Sequence, residues 1–201
     1  MAPTHSSLYS LLNSCKSLKG SALTHTSMKG GSYYIKSEDT DQFHKLYADE
    51  LNNNKEMFIT EKHTDISPVL LDFDLRFEPS KTERKYDINL IDKIVVEYIH
   101  KINDYVELPE KVEVYVMEKS KPIYDETKDL VKDGFHIMIP NIVTRPSVQL
   151  IVRKELLEIY SQLMKPVNCI NTIDDIYDEA VIEKNNWLMY GSKSLMGNHT
   201  R

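Results

Sequence analysis

The residues with the clearest chemical potential are two aspartates in residues 69–77, which read Val-Leu-Leu-Asp-Phe-Asp-Leu-Arg-Phe. Successive side chains of a β-strand point to opposite faces, so a strand here places Asp72 and Asp74 together on one face and apolar residues on the other. Two carboxylates this close repel each other unless a positive charge compensates them. A divalent cation prefers carboxylate oxygens, so the pair predicts a metal site. The alternative is a solvated face on which Arg76 is the counter-ion.

A second segment, residues 131–139, has the same period of two. It places Lys132, Gly134 and His136 on one face, so that an ammonium group, a position without a side chain and an imidazole follow one another along the strand. Glycine inside a strand often marks the close approach of a ligand or of another backbone, and Lys and His donate well to phosphate oxygens. A single histidine is more often a structural residue that caps a sheet edge or hydrogen-bonds within a core, but its alignment with Lys132 and the presence of the acidic strand favour a nucleoside triphosphate as ligand.

A third candidate lies near the end of the chain, where Asp178 belongs to an acidic stretch. Such stretches are usually solvated, but a two-metal site needs a third carboxylate, and Asp178 could supply it. Ser192 and Lys193 follow Gly191, and the lysine could reach a phosphate group. Taken alone, this segment is weak evidence.

The elements that must position these residues alternate along the chain and predict an α+β or mixed α/β fold with two long helices over a sheet. Apolar residues at helical spacing predict a first helix from Leu8 to Leu18, followed by a flexible basic loop from Gly20 to Ser32. Further helices are predicted at 37–51, 87–105 and 146–163, and strands at 33–36, 57–61, 69–77, 111–117, 131–139 and 187–192.

Composition narrows the class of protein. The 201 residues include 25 Lys and Arg and 31 Asp and Glu, for a net charge of −6, which argues against a protein that coats nucleic acid through bulk charge. The first 36 residues contain four lysines and no acid, which favours either a solvated connection or a basic strap facing phosphate. Cys15 and Cys169 support neither a disulfide framework nor a zinc site, and the longest apolar run is too short to span a membrane.

Together the three segments resemble the archaeo-eukaryotic primase superfamily, specifically the N-terminal primase domain of the primase-helicases of large nucleocytoplasmic DNA viruses. The first motif of that superfamily is Asp-x-Asp on an apolar strand, the second is a small residue followed at the next position but one by His, and the third is a late Asp followed by a basic and aromatic strand. The similarity covers about residues 30–195. The matching residues are Asp72 and Asp74, then Lys132, Gly134 and His136, then Asp178, Tyr190, Ser192 and Lys193.

The resemblance implies an RRM-like sheet and template-directed synthesis of primers from nucleoside triphosphates in viral DNA replication. It implies that the catalytic residues Asp72, Asp74 and Asp178 hold two Mg²⁺ or Mn²⁺ ions. The nucleotide-binding residues would be Lys132, Gly134, His136, Ser192 and Lys193. The implied partners are a single-stranded DNA template and a helicase domain or helicase protein, and the implied location is the viral replication site in the cytoplasm or virus factory of the host cell, with no membrane.

Two features depart from the resemblance. Gly134 stands where many relatives have serine, which removes one hydroxyl contact. The chain also stops just after the third motif, so the expected division is an N-terminal helix and basic loop at 1–32 and a catalytic domain at 33–201 that is truncated at its C-terminus.

Two other functions remain open from the residues. A sugar-nucleotide transferase also uses Asp-x-Asp after an apolar strand to hold Mn²⁺, but it does not predict the strand with Lys132 and His136. A non-catalytic primase half could bind nucleotide or template, or assist a separately encoded helicase.

Overall fold

The computed structural model describes residues 5–193, which form two units. The first unit is drawn from Met1–His63 and Asn186–Arg201, and the second is Thr64–Asn185. The helices are α1 (Leu8–Ser14), α2 (Thr40–Asn52), α3 (Ile88–Ile102), α4 (Pro146–Met164), α5 (Ile173–Ile176) and α6 (Ala180–Glu183). The strands are β1 (His25–Ser27), β2 (Ser32–Tyr33), β3 (Ile59–Glu61), β4 (Ser67–Phe77), β5 (Tyr115–Glu118), β6 (Ile123–Asp125), β7 (Leu130–Thr144), β8 (Tyr177–Asp178) and β9 (Trp187–Leu188).

The first unit contains a four-stranded sheet in the order β2-β1-β3-β9, with antiparallel pairing between neighbours. Helices α1 and α2 bury Leu8, Leu11, Phe43 and Tyr47 in its hydrophobic core. The Ser7 side chain accepts a hydrogen bond from the Ser10 N–H and so caps α1.

The segment predicted as a flexible loop at 20–32 is partly a strand, since β1 lies within it. Its residues, His-Thr-Ser, are polar and carry no apolar alternation, so the sequence pattern did not predict a strand. Because β1 and β2 pair with each other, the predicted boundary at residue 32 falls within one sheet.

The second unit contains an antiparallel sheet in the order β5-β7-β4-β8, with β6 also paired to β7. Apart from the short elements β6, α5 and α6, its strands and helices run β4, α3, β5, β7, α4, β8 along the chain, which is the βαββαβ order of the ferredoxin-like arrangement. This confirms the predicted α+β class and provides an antiparallel sheet of the kind that the resemblance implies.

One face of this second sheet is covered by the two long helices. The odd-numbered residues of β4 from Val69 to Phe77 are 0–1% exposed and pack in one cluster with residues of α3 and α4. Asp87 caps α3 by accepting a hydrogen bond from the Leu90 N–H, and Pro146 begins α4, as its fixed φ favours. The even-numbered residues of β4 therefore lie on the face away from α3 and α4.

The predicted strand at 111–117 is shorter and later in the structure, where β5 begins only at Tyr115. The final predicted strand at 187–192 is reduced to β9 at Trp187–Leu188. Within the described residues, no helix is both long enough and apolar enough to cross a membrane.

A close backbone approach between β4 and β7 requires glycine at position 134. Gly134 has φ of +147°, and a Cβ atom there would lie 2.1 Å from the carbonyl oxygen of Phe73. Any side chain at this position therefore forces the two strands apart. The glycine that stands in place of serine is thus a requirement of this sheet.

We expect Gly134→Ala to lower the free energy of unfolding by about 2–4 kcal/mol, because it combines an unfavourable φ with a backbone clash. Gly20→Ala is the matched control, since Gly20 also has a positive φ of +85° but nothing lies within 4 Å of its added Cβ. Thermal and urea denaturation followed by circular dichroism would compare the two variants. Equal losses of stability would show that backbone strain alone, and not the close approach of β4, explains why glycine is required at position 134.

Candidate active site

Two carboxylates of β4 lie on the face of the second sheet that points away from α3 and α4, as the alternation of the sequence predicts. We call this the open face of the sheet. Asp72 is almost buried, at 9% exposure, whereas the side chain of Asp74 is 45% exposed. Their neighbours on either side along the strand are core residues, so rotation of the strand is prevented by the packing of its other face. The strand therefore fixes both carboxylates on one surface.

The short strand β8 brings the third predicted acid to the same face. Asp178 lies directly opposite Asp72 in the antiparallel pairing of β4 with β8, and Tyr177 lies opposite Phe73. Directly opposite residues of an antiparallel pair have their side chains on the same face, with Cβ atoms about 5 Å apart. Asp72, Asp74 and Asp178 thus share one face of the sheet, although more than one hundred residues separate the first two from the third in sequence.

Arg153 of α4 holds β8 in this position. Its side chain is buried, and its Nε and Nη2 atoms donate to the carbonyl oxygen of Tyr177 at 2.9 and 2.6 Å. Nη2 also donates to the carbonyl of Asp174 at 3.1 Å. The ring of Tyr177 stacks on Phe73, with centroids 5.0 Å apart and planes at 3°. The sequence pattern placed Arg153 on a helix but gave no signal for these contacts.

On the other side of β4, strand β7 supplies a histidine beside the acids. His136 pairs with Asp72 in the register of the sheet, and Gly134 pairs with Asp74. The Nε2 atom of His136 lies 3.1 Å from Oδ1 of Asp72. That carboxylate oxygen is buried, yet it makes no hydrogen bond of good geometry with any described residue.

The pKa of His136 is set by two opposing effects. Burial of the imidazole lowers its pKa, but the negative charge and close contact of Asp72 outweigh burial and raise the pKa above its ordinary value. Asp74 adds to this rise, whereas Lys119 opposes it. The net rise of the pKa favours the positively charged form of His136.

Lys132 lies on the open face of β7 but is engaged elsewhere. Its Nζ lies 2.6 Å from Oδ2 of Asp125, at the end of β6. This hydrogen bond holds the pKa of Asp125 well below its usual range. The predicted alignment of Lys132 with Gly134 and His136 is present along the strand, while the ammonium group itself is paired with Asp125.

A different lysine, which the motifs did not reveal, contacts the acids. Lys119 Nζ lies 3.2 Å from Oδ1 of Asp74. No sequence signal reveals it, because its place on this face follows from the pairing of Met117, two residues earlier, with His136.

The metal-binding arrangement that the sequence predicts is not assembled by these side chains as they stand. Among residues 5–193, no group of three or more His, Cys, Asp and Glu side chains converges to hold a metal ion. Asp74 is paired with Lys119, and Oδ1 of Asp178 accepts a hydrogen bond from the Ala180 N–H at 2.9 Å. Changes of side-chain rotamer would be needed before these two carboxylates could join Asp72 around an ion.

Ser192 and Lys193 belong to the first unit, where each has local partners. Ser192 is fully buried, and its Oγ accepts a hydrogen bond from the Ile59 N–H at 2.8 Å and lies 2.9 Å from the hydroxyl of Tyr47. Lys193 forms an ion pair with Glu56. Their predicted contacts with nucleotide stay predictions.

Comparison with known proteins identifies relatives over most of the chain. A family model described as "C962R protein N-terminal AEP domain", where AEP denotes archaeo-eukaryotic primase, matches residues 24–200. The chain is 31% identical over 185 residues to "Putative helicase L207/L206" of Acanthamoeba polyphaga mimivirus, and 27% identical over 193 residues to "Putative helicase 022R" of Frog virus 3. The alignments cover 89% and 92% of this chain but 19% of each relative, so the chain spans about a fifth of their length.

The pairing of His136 with Asp72 can be tested by titration. We expect the imidazole of His136 to titrate above pH 6.5 in the native protein and below it in Asp72→Asn, where burial is no longer outweighed. Because the folded-state pKa is raised, the stability that the pair contributes is fully present below about pH 6.5 and is lost as pH rises through the folded pKa.

The measurement is the pH dependence of the histidine ring resonances by NMR, with His136→Gln to assign the signal. A resonance whose midpoint does not move in Asp72→Asn would show that Asp72 does not control the charge of His136.

Proposed function

The chain belongs to the archaeo-eukaryotic primase family, and we propose that it carries out template-directed nucleotidyl transfer of the primase type, joining nucleoside triphosphates on a single-stranded DNA template. The observation that carries this proposal is the common face of Asp72, Asp74 and Asp178 on adjacent strands, with His136 beside Asp72. Family membership favours this function over sugar-nucleotide transfer, which shares only the Asp-x-Asp pattern.

The donor set fits a hard divalent cation. Three carboxylates provide the oxygen ligands that Mg²⁺ and Mn²⁺ prefer, and the buried Oδ1 of Asp72 lacks a hydrogen-bond donor of good geometry among the described residues. We therefore propose Asp72, Asp74 and Asp178 as the metal ligands and catalytic residues. When bound, the ions would lower the pKa of the attacking 3′-hydroxyl and neutralise charge on the transferring phosphate.

The basic residues of the open face are proposed to orient the incoming triphosphate. His136 in its charged form would donate a charge-assisted hydrogen bond to a phosphate oxygen beside Asp72. Lys132 would do the same once its ammonium group leaves Asp125 and contacts a phosphate. Gly134 lies between Lys132 and His136 on the strand and has no side chain to obstruct the ligand. Lys193, with Ser192 next to it, is proposed as a further contact on the basis of its place in the third motif.

A basic surface of the first unit is proposed as the contact for template phosphates. Lys16, Lys19 and Lys29 are exposed, and Nζ of Lys29 lies 3.6 Å from the centre of the Phe58 ring. Positive charge beside an aromatic ring is the combination that single-stranded nucleic acid binds through its phosphates and bases.

The names of the two viral relatives add a proposed partner. Both are named as helicases, and this chain corresponds to only a fifth of each. We propose that primer synthesis operates together with a helicase, in the same polypeptide or as a separate protein, at the site of viral DNA replication.

Replacement of the acids is expected to abolish primer synthesis. Asp72→Ala, Asp74→Ala and Asp178→Ala should each reduce the rate by about 100-fold or more, because each would remove a metal ligand worth several kcal/mol to the transition state. The measurement is the formation of labelled oligomers by the purified chain with single-stranded template, nucleotides and Mn²⁺. Asp92→Ala, an exposed acid on α3, is the control and should retain activity.

Product formation by Asp72→Ala at the rate of the native chain would exclude the metal assignment. Binding of nucleotide by the native chain without any product would instead favour a non-catalytic module that presents nucleotide or template.

The template surface predicts a change in salt dependence. If Lys16, Lys19 and Lys29 each contact a phosphate, their joint replacement by Gln should reduce the slope of log affinity against log salt concentration by about 2, at about 0.7 per contact. The measurement is fluorescence anisotropy of a labelled single strand over a range of salt concentrations. Joint replacement of Lys93, Lys121 and Lys128, which are also exposed, is the charge-matched control. An equal reduction in the control would place the contact elsewhere.

A further inference from the structure

Lys119 lies outside the recognised motifs. Among residues 5–193, it is the one lysine whose ammonium group contacts an acid of the proposed catalytic set. It follows β5 directly, and its N–H donates to the carbonyl of Gly134 at 3.3 Å, which extends the pairing with β7 by one residue. Its side chain is 17% exposed. The residue is thus fixed to the strand that also carries His136.

Two oxygens hold the ammonium group of Lys119. Nζ lies 3.2 Å from Oδ1 of Asp74 and 3.3 Å from the carbonyl oxygen of Asp133. The carbonyl keeps the group near the open face even when the carboxylate is engaged elsewhere, because it belongs to the backbone of β7.

The backbone of Lys119 is anchored by the guanidinium group of Arg84, whose side chain is 27% exposed. Arg84 donates to both carboxylate oxygens of Asp133, at 3.0 and 3.1 Å, and to Glu118 at 2.9 Å. It also donates to the carbonyl oxygen of Lys119. The Asp133 carboxylate is fully buried, so its bidentate contact fixes the guanidinium group, which in turn holds residues 118 and 119 against β7. The position of the Lys119 ammonium is therefore built into the fold.

We propose that Lys119 is a built-in counter-ion that occupies the cation position at Asp74 and competes with the divalent metal for that carboxylate. The inference rests on the proposed function, since it concerns the same acids. A carboxylate oxygen that pairs with an ammonium is not available to a metal, and an ammonium left beside a bound divalent cation repels it.

Two consequences follow for the protein. In the metal-free state, Lys119 offsets part of the repulsion between Asp74 and its neighbouring acids. When a metal takes Asp74, the displaced ammonium remains near the open face through the carbonyl of Asp133 and is then available to an anionic ligand such as a triphosphate. Metal and nucleotide would thus each favour the binding of the other.

The test compares Mn²⁺ binding by the native chain with binding by Lys119→Met, which keeps the length of the side chain but removes its charge. The measurement is isothermal titration without nucleotide, supported by electron paramagnetic resonance of free Mn²⁺. We expect Lys119→Met to bind Mn²⁺ about three- to tenfold more tightly, and Mn²⁺ to raise its melting temperature more than that of the native chain. Lys121→Met, an exposed residue two positions away, is the charge-matched control and should bind as the native chain does.

Each other result overturns the proposal in a distinguishable way. Equal or weaker Mn²⁺ binding by Lys119→Met, with native binding that depends on Asp72, would show that Lys119 does not compete and would leave the metal site itself intact. Tighter binding by Lys119→Met and Lys121→Met alike would indicate a general effect of charge. Absence of Mn²⁺ binding in every variant would remove the metal site and this inference together.

Discussion

Strands β4 and β7 are paired along the full length of β4, and their register sets the position of the charged groups on the open face of the second sheet. It places His136 beside Asp72 and the bare backbone of Gly134 beside Asp74. A slip by one residue would bring every acid to the apolar side. The aromatic stack of Phe73 on Phe135, with centroids 4.8 Å apart, and the close approach at Gly134 fix this register from both faces.

The carboxylates on the two faces of the sheet around β7 differ in how fully their charge is compensated. On the helix side, Asp133 is fully buried and is matched by the bidentate guanidinium of Arg84, which is the condition under which a buried carboxylate is tolerated. On the open side, three acids are offset by only two close cations, His136 and Lys119, in the described structure. The pair of Asp133 with Arg84 is fully compensated and has a structural role. The open side leaves negative charge that a bound cation can offset, which is what a site for divalent ions needs.

The sequence reveals what depends on local periodicity and misses what depends on long-range pairing. The alternation in residues 69–77 correctly places Asp72 and Asp74 opposite a buried face, since a period of two is a property of the strand itself. The contact of Lys119 with Asp74 could not be found in this way, because it depends on the pairing of β5 with β7. Strand β1 was missed for a related reason, since its polar residues form a strand only through their neighbours β2 and β3.

Asp178 shows how tertiary contacts can deliver a functional residue that local structure does not support. Strand β8 has two residues, so the hydrogen bonds of its ladder contribute little, and an acid in a strand is locally unfavourable. Its position depends instead on the buried fork of Arg153 and on the stack of Tyr177 against Phe73. Helix α4 therefore positions the third carboxylate, while β4 carries the first two in its own regular structure. It follows that Asp178 is the acid whose distance from the others responds most readily to movement of α4, and that the spacing of the three acids is coupled to the packing of the helical layer behind the sheet.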